Sequence, residues 1–205
     1  MKKTLIAVPM KDPSASKTRL SGTLSDDERE RLACLMYQRT LSFLAPIGAR
    51  TGAGLAVVTQ SPIAAKLADA AGFAVIHEPS DSFLSNAASI ASSWAIESGY
   101  QRLCIIHADL AAPLQEDIFE LLNCEADVAI CPSLDQGTNV LLVSPPDAIN
   151  FCYGRDSALR HMEEAEKRKL KVLWMSLDSL SFDIDTSECL SRAVNQVPEF
   201  AEIRS

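Results

Sequence analysis

Short runs that are apolar at nearly every position, separated by amphipathic stretches, set the tightest limit on how this chain can fold. Thr4–Pro9, Leu55–Thr59, Phe73–His77, Leu103–His107, Val128–Cys131, Asn139–Val143 and Val172–Met175 read as strands. A strand without polar alternation cannot leave one face in water, so its sheet must be covered on both sides. The segments between them carry helical spacing. Ser25-Asp26-Asp27-Glu28 forms a capping box, in which Ser25 caps the Glu28 N–H and the Glu28 carboxylate reaches back. The helix it opens places Leu32, Leu35, Met36, Leu41 and Leu44 on one face and is expected to stop near Pro46. Further helices are expected at Ile63–Ala71, Leu84–Ser98, near Leu114–Leu122, at Ser157–Lys169 and from about Ser187, with Gly72 and Gly99 closing the first two. Gln136-Gly137 reads as a turn. This alternation predicts an α/β fold with a mostly parallel sheet and helices on both faces. With 205 residues and no repeat or low-complexity linker, residues 1–205 are expected to form a single domain.

Several function classes fall away on composition. The longest apolar runs, such as Leu5–Met10 and Val140–Val143, are far too short to span a bilayer. Met1-Lys2-Lys3 imitates the start of a secretion signal, but only about seven apolar-leaning residues precede Lys11-Asp12 and no small-residue cleavage site follows. That segment reads as a buried first strand. Six cysteines (Cys34, Cys104, Cys124, Cys131, Cys152, Cys189) are scattered without a CxxC pair, which fits a reducing cytoplasm better than a disulfide framework or a thiolate metal site. The net charge of −8 disfavours nucleic acid and membrane surfaces as partners. Residues 1–19 nevertheless carry a balance of +4, from Lys2, Lys3, Lys11, Lys17 and Arg19 against Asp12. A solvated basic terminus accounts for Lys2 and Lys3; Lys11, Lys17 and Arg19 suit a small anionic ligand better.

In parallel sheets, ligands lie beyond the carboxyl ends of the strands. The residues that follow each strand are therefore the candidate site. Lys11, Lys17 and Arg19 follow the first, in the loop Met10–Thr23, which has neither a GxGxxG nor a P-loop pattern. Asp109 follows the fourth, and Asp183-Ile184-Asp185 lies near the C-terminal end. Carboxylates there suit Mg²⁺, which takes one or two carboxylates together with substrate phosphate oxygens. Asp109 as a turn or helix cap, and Asp185 as a cap of the last helix, account for these residues equally well. Thr138-Asn139 and Tyr153-Gly154-Arg155-Asp156-Ser157 form a third cluster, in which Ser157 caps a helix whose N-terminus can receive an anion. His161, one turn on, reads as a core or a site histidine; His77 and His107 read as structural.

Taken in order, these motifs resemble one known family. Val8-Pro9-Met10-Lys11 with Lys17-Thr18-Arg19-Leu20, Leu24-Ser25 with Glu28-Arg29, Val57-Val58-Thr59, Ala108-Asp109-Leu110, Gly137-Thr138-Asn139, Tyr153-Gly154 with Ser157 and His161, and Asp183-Ile184-Asp185-Thr186 run nearly end to end. They are similar to the motifs of the 2-phospho-L-lactate or phosphoenolpyruvate guanylyltransferases of coenzyme F420 biosynthesis, within the class that includes the molybdopterin nucleotidyltransferases. Three positions depart from that pattern. Asp109-Leu110-Ala111 stands for a DLP motif, Leu84-Ser85-Asn86-Ala87 for LN.A, and Ala158 for an aromatic residue.

The resemblance implies a single Rossmann-like nucleotidyltransferase domain that uses Mg²⁺ to join GTP to a three-carbon phosphoacid: 2-phospho-L-lactate, phosphoenolpyruvate or a phosphoglycerate. By the same resemblance, Val8, Pro9, Lys11, Lys17, Arg19, Thr59 and Asn86 would bind the nucleotide, with Ser85 as the alternative to Asn86. Lys17, Arg19 and Asp109 would act in catalysis, Asp109, Asp183 and Asp185 would hold the metal, and Thr138, Gly154 and Ser157 would bind the acceptor. No nucleic-acid or membrane partner is implied, and a homodimer is compatible with it. Two other readings stand beside this one: nucleotidyl transfer to another phosphorylated acceptor, such as a pterin or a sugar phosphate, and a non-catalytic nucleotide-binding protein on the same fold.

Overall fold

In the computed structural model, which describes residues 2–79 and 83–204, the apolar runs become seven strands of one sheet. These are β1 (Thr4–Pro9), β2 (Gly54–Thr59), β3 (Ala74–His77), β4 (Arg102–Ile106), β5 (Val128–Pro132), β6 (Thr138–Val143) and β7 (Val172–Trp174). Their spatial order is β3-β2-β1-β4-β6-β5-β7. Every strand runs parallel to its neighbours except β6, which is antiparallel to β4 and to β5. The reversal follows from the short β5–β6 connection. A parallel return would need a crossover of a dozen residues or so, whereas here Ser133 N–H donates to the Gly137 carbonyl across a tight turn. Gly137 leaves room in that turn for the Ser133 hydroxyl, which a Cβ would approach to 2.7 Å.

Both faces of the sheet are buried, as its apolar strands demand. Ile6 and Val8 of β1 join one core layer with Cys104, Ile106, Val140 and Leu142, while Leu5 and Ala7 join the opposite layer with Leu103, Ile105, Leu141 and Val143. The first layer is covered by α1 (Asp26–Thr51), α2 (Pro62–Ala70), α4 (Gln115–Asn123) and the single turn α6 (Asp178–Ser181). The second is covered by α3 (Leu84–Glu97) and α5 (Ser157–Lys167). A smaller cluster joins Leu32 and Met36 of α1 to Leu190 and Ala193 of α7 (Ser187–Gln196) and to Phe200. α6 and a 3-10 segment at Pro198–Arg204 were not expected; one turn of helix is too short to display a period.

The Ser25–Glu28 capping box forms as expected, with Glu28 N–H to Ser25 Oγ at 3.3 Å and Ser25 N–H to Glu28 Oε2 at 2.7 Å. α1 does not stop near Pro46, however; it runs on to Thr51 and closes at Gly52 in the left-handed conformation. A proline inside a helix costs about 3 kcal/mol. Leu44 and Ile47, both fully buried, offset it at roughly 1.5–3 kcal/mol each. Pro46 and Ser42, whose carbonyl loses its partner, lie on the exposed side of the helix.

Candidate active site

β1 and β4 are neighbours, yet the chain leaves them for opposite halves of the sheet, so a crevice opens beyond their carboxyl ends. The loop after β1 is tied down by Asp12, whose carboxylate accepts from Ser14 Oγ and from Ser61 Oγ, both at 2.6 Å. Two 3-10 turns follow, Pro13–Ala15 and Thr18–Leu20, with Lys17 between them in the left-handed region at φ 55°. That conformation costs a non-glycine residue of order 1–3 kcal/mol and is kept where the surroundings over-determine it. Here it sends the lysine into the crevice, where Nζ lies 2.8 Å from Asp109 Oδ2 and 3.0 Å from Asp185 Oδ1. Arg19 Nη1 reaches Asp185 Oδ2 at 3.2 Å from a more exposed position.

The carboxylates are brought together by a short antiparallel bridge between the loop after β4 and residues 182–184. Leu110 pairs with Asp183, Ile184 N–H donates to the Asp109 carbonyl, and Ala111 N–H donates to the Phe182 carbonyl. Alanine in place of the DLP proline is what supplies that last N–H. Neither aspartate is a helix cap: Thr186 caps α7, and α4 starts at Leu114 with no side-chain cap. One oxygen from each of Asp109, Asp183 and Asp185 lies within 4.8 Å of the others. Burial, then the charges of Asp109 and Asp185, push Asp183 up to about 6. Burial also works to raise Asp109, but Lys17 outweighs it and holds that carboxyl below its ordinary value. Lys17 in turn is drawn down by burial and raised further by its two carboxylates. Asp109 Oδ1 is buried with no protein partner. An oxygen-only donor set, crowded like charges and an orphaned carboxylate oxygen together fit a divalent cation.

Two chambers meet at this group. The first is walled by Pro9, Met10, Met36, Leu84 and Ala87, with Glu78 as the acidic group on its wall away from the seam. The second is polar, lined by Ser133, Thr138, Asn139, Gly154, Arg155 and Ser157. Lys11, Lys17, Asp109, Asp185 and His107 line both. The reversal of β6 is what admits Thr138 and Asn139, because it turns the start of that strand toward the carboxyl ends of the others. His107 N–H donates to the Asn139 carbonyl at 3.1 Å. In the second chamber Thr138 Oγ1 lies 3.0 Å from Ser157 Oγ and 3.0 Å from His161 Nδ1, all three buried. His161 Nε2 accepts from Cys152 N–H at 2.8 Å. Burial, followed by Arg160, pulls His161 down to about 4.

The expected site residues divide clearly. Pro9, Lys11, Lys17, Arg19, Asp109, Asp183, Asp185, Thr138, Gly154 and Ser157 all line the crevice. Val8 is wholly buried in the core, and Thr59, also buried, lies at the end of β2 with its hydroxyl accepting from Ser61 N–H. Asn86 is exposed on the outer side of α3, away from both chambers, and Ser85 Oγ accepts from Tyr153 N–H. Ser157 is not a cap; Asp156 precedes the helix in the left-handed region and Ser157 opens it. His107, expected to be structural, lines both chambers, and its Nε2 is buried without a partner. Glu78 belongs to none of the sequence motifs. Both follow a strand directly, so the strand-end rule could have found them.

Known proteins resemble this chain in sequence and in fold. Residues 4–194 match the family model described as "Guanylyl transferase CofC like". A 3-phospho-D-glycerate guanylyltransferase of Colwellia psychrerythraea is 37% identical over 191 residues, covering 92% of this chain and 90% of its own. A phosphoenolpyruvate guanylyltransferase of Chloroflexus aggregans is 30% identical, covering 90% and 94%. In fold, the chain is similar to a nucleotidyl transferase of Methanothermobacter thermautotrophicus, with a TM-score of 0.65, 12% identity and 98% of each chain covered.

Proposed function

We propose guanylyl transfer to a small phosphoacid as the activity, from one premise: the chain belongs to the CofC-like guanylyl transferase family. The nucleotide is GTP, and the acceptor is 3-phospho-D-glycerate, phosphoenolpyruvate or 2-phospho-L-lactate, as in coenzyme F420 biosynthesis. The observation that carries this reading is the pair of chambers, one apolar and one polar, that share Lys17, Asp109 and Asp185 at their seam.

The apolar chamber suits a base and the polar chamber a small anion. Glu78 can accept from the N1–H and N2–H of guanine, a pair of donors that adenine lacks. Lys11, Lys17 and Arg19 are placed to neutralise the triphosphate and the departing pyrophosphate. An oxygen of the acid's phosphate attacks the α-phosphorus of GTP; the new P–O bond forms as the bond to the bridging oxygen breaks, and pyrophosphate leaves. A phosphate monoester, with its second pKa near 6, is already mostly dianionic at neutral pH, so no general base is needed. Rate enhancement then rests on alignment and on charge neutralisation. Thr138, Gly154 and Ser157 would hold the acid. Asp109, Asp183 and Asp185 would hold Mg²⁺, which when bound neutralises charge on the phosphate oxygens. The six free thiols and the nucleotide substrate agree with a cytoplasmic setting; among the described residues no helix is long and apolar enough to cross a membrane.

Four nucleoside triphosphates tested against the three acids, with pyrophosphate release as the readout, decide the matter. GTP is expected to react with at least one acid in the presence of Mg²⁺. No turnover of GTP with any of the three overturns the proposal.

A further inference from the structure

His161 is fully buried and lines neither chamber, yet it hydrogen-bonds to Thr138, which does. Cys152 N–H can only donate, so His161 Nε2 must accept. A neutral imidazole carries one ring proton, which therefore sits on Nδ1 and donates to Thr138 Oγ1. Three hydrogens are then available along the row His161 Nδ1, Thr138 Oγ1 and Ser157 Oγ, but the row contains only two links. One hydroxyl hydrogen, from Thr138 or from Ser157, is left over. Both residues line the second chamber, so a ligand there can receive the spare hydrogen. With the proton on Nε2 instead, Thr138 would donate to the imidazole, Ser157 would donate to Thr138, and nothing would remain.

We infer that His161 is a positioning residue whose locked tautomer obliges the Thr138–Ser157 pair to offer one hydrogen to an anionic oxygen of the acceptor acid. The inference rests on the reading that the acid occupies the second chamber. It makes the pair a net donor without bringing a further charge close to the carboxylate cluster. The same ring also anchors the loop ahead of Gly154 through Cys152, so a purely structural role is the rival to be tested.

Two substitutions separate these roles. H161N keeps an N–H near the Nδ1 position, so one hydroxyl hydrogen is still left over; H161D sets an acceptor oxygen there instead, so that Thr138 donates to it, Ser157 donates to Thr138 and none is left over. With 3-phospho-D-glycerate and phosphoenolpyruvate as probes, H161D is expected to raise KM for the acid on the order of tenfold, the scale of one hydrogen bond to a charged group. KM for GTP should stay unchanged, and H161N should remain near the parent value. The reverse order, or equal effects that track melting temperature, overturns the inference. Inorganic phosphate and D-glycerate, used as competing inhibitors, identify the end of the acid that is held, by which inhibition constant rises in H161D; if neither rises, the inference fails. Nitrogen-15 spectra of the imidazole in the whole protein should report a protonated Nδ1, and a protonated Nε2 overturns the tautomer argument outright. T138V/S157A, which removes both hydroxyls, separates the two layers of reasoning. If it leaves KM for the acid unchanged, the placement of the acid is wrong; if it raises KM while H161D does not, only the role of His161 is wrong.

Discussion

The Lys17 ammonium lies 2.8 Å from Asp109, a residue 92 positions away in sequence, and it is held there by a left-handed backbone at Lys17 itself. Asp185 closes the other side of the same ammonium at 3.0 Å. A single buried cation thus balances two of three clustered carboxylates, and this charge balance governs what the site does when it is altered.

Replacing Lys17 by methionine should both inactivate and destabilise. Breaking a buried ion pair on one side costs about 3–5 kcal/mol, because the remaining charge is left uncompensated. The melting temperature of K17M in EDTA should fall by several degrees, and added Mg²⁺ should recover part of the loss.

Metal binding can be read without turnover. A ligand that binds only the folded state raises its stability by mass action, so Mg²⁺ or Mn²⁺ should raise the melting temperature of the parent protein. In D109N and D185N that shift should vanish, and guanylyl transfer should fall by on the order of a hundredfold or more. An unchanged metal-dependent shift in both variants would remove these aspartates from the metal site.

Glu78 lies on the wall of the apolar chamber. E78Q turns one acceptor oxygen into a donor, which guanine N1–H or N2–H cannot use. The ratio of kcat/KM for GTP over ATP should drop on the order of tenfold or more, the scale of a mismatched buried hydrogen bond. KM for the acid should be unaffected.

Gly154 sits at φ 114°, and a Cβ there would lie 3.3 Å from Arg160 Nη2. G154A therefore places a side chain where L-residues rarely go, at a cost of about 1–3 kcal/mol. Because this loop lines the acceptor chamber, KM for the acid should rise while KM for GTP holds. Urea denaturation and steady-state kinetics on the same variant check both.

Acid should weaken the fold through His161. Its folded pKa of about 4 lies below the ordinary 6.5, so between those values the unfolded chain binds more protons than the native one. The contribution is full above about pH 6.5 and is lost as pH falls toward 4, up to about 3 kcal/mol in all. Urea midpoints measured from pH 7.5 to 4.5 should decline in the parent and decline less in H161Q.

Much of the fold was legible because burial leaves a local imprint. Strands apolar on both faces, the Ser25 capping box, and Gly72 and Gly99 beyond their helices are short-range patterns, and each predicted element formed. The helix passes Pro46 because Ile47, just beyond it, is buried with Leu44, a tertiary contact that local propensity does not contain. Within the site, the strand-end rule located Lys17 and Asp109 but could not tell which way a side chain points. Asn86, one residue from alanines that face the core, turns outward, while His107, set aside as structural, turns into both chambers.

By itself, then, the sequence determined a doubly covered α/β sheet, the family, and the set of strand-end residues from which a site could be drawn. Only the tertiary structure decided the reversal of β6, the insertion of Lys17 between Asp109 and Asp185, and the His161–Thr138–Ser157 row. The reason is physical. Periodicity and caps are set by neighbours within a turn or two, whereas charge pairing and hydrogen-bond direction depend on groups that only the closed fold brings within 3 Å or so.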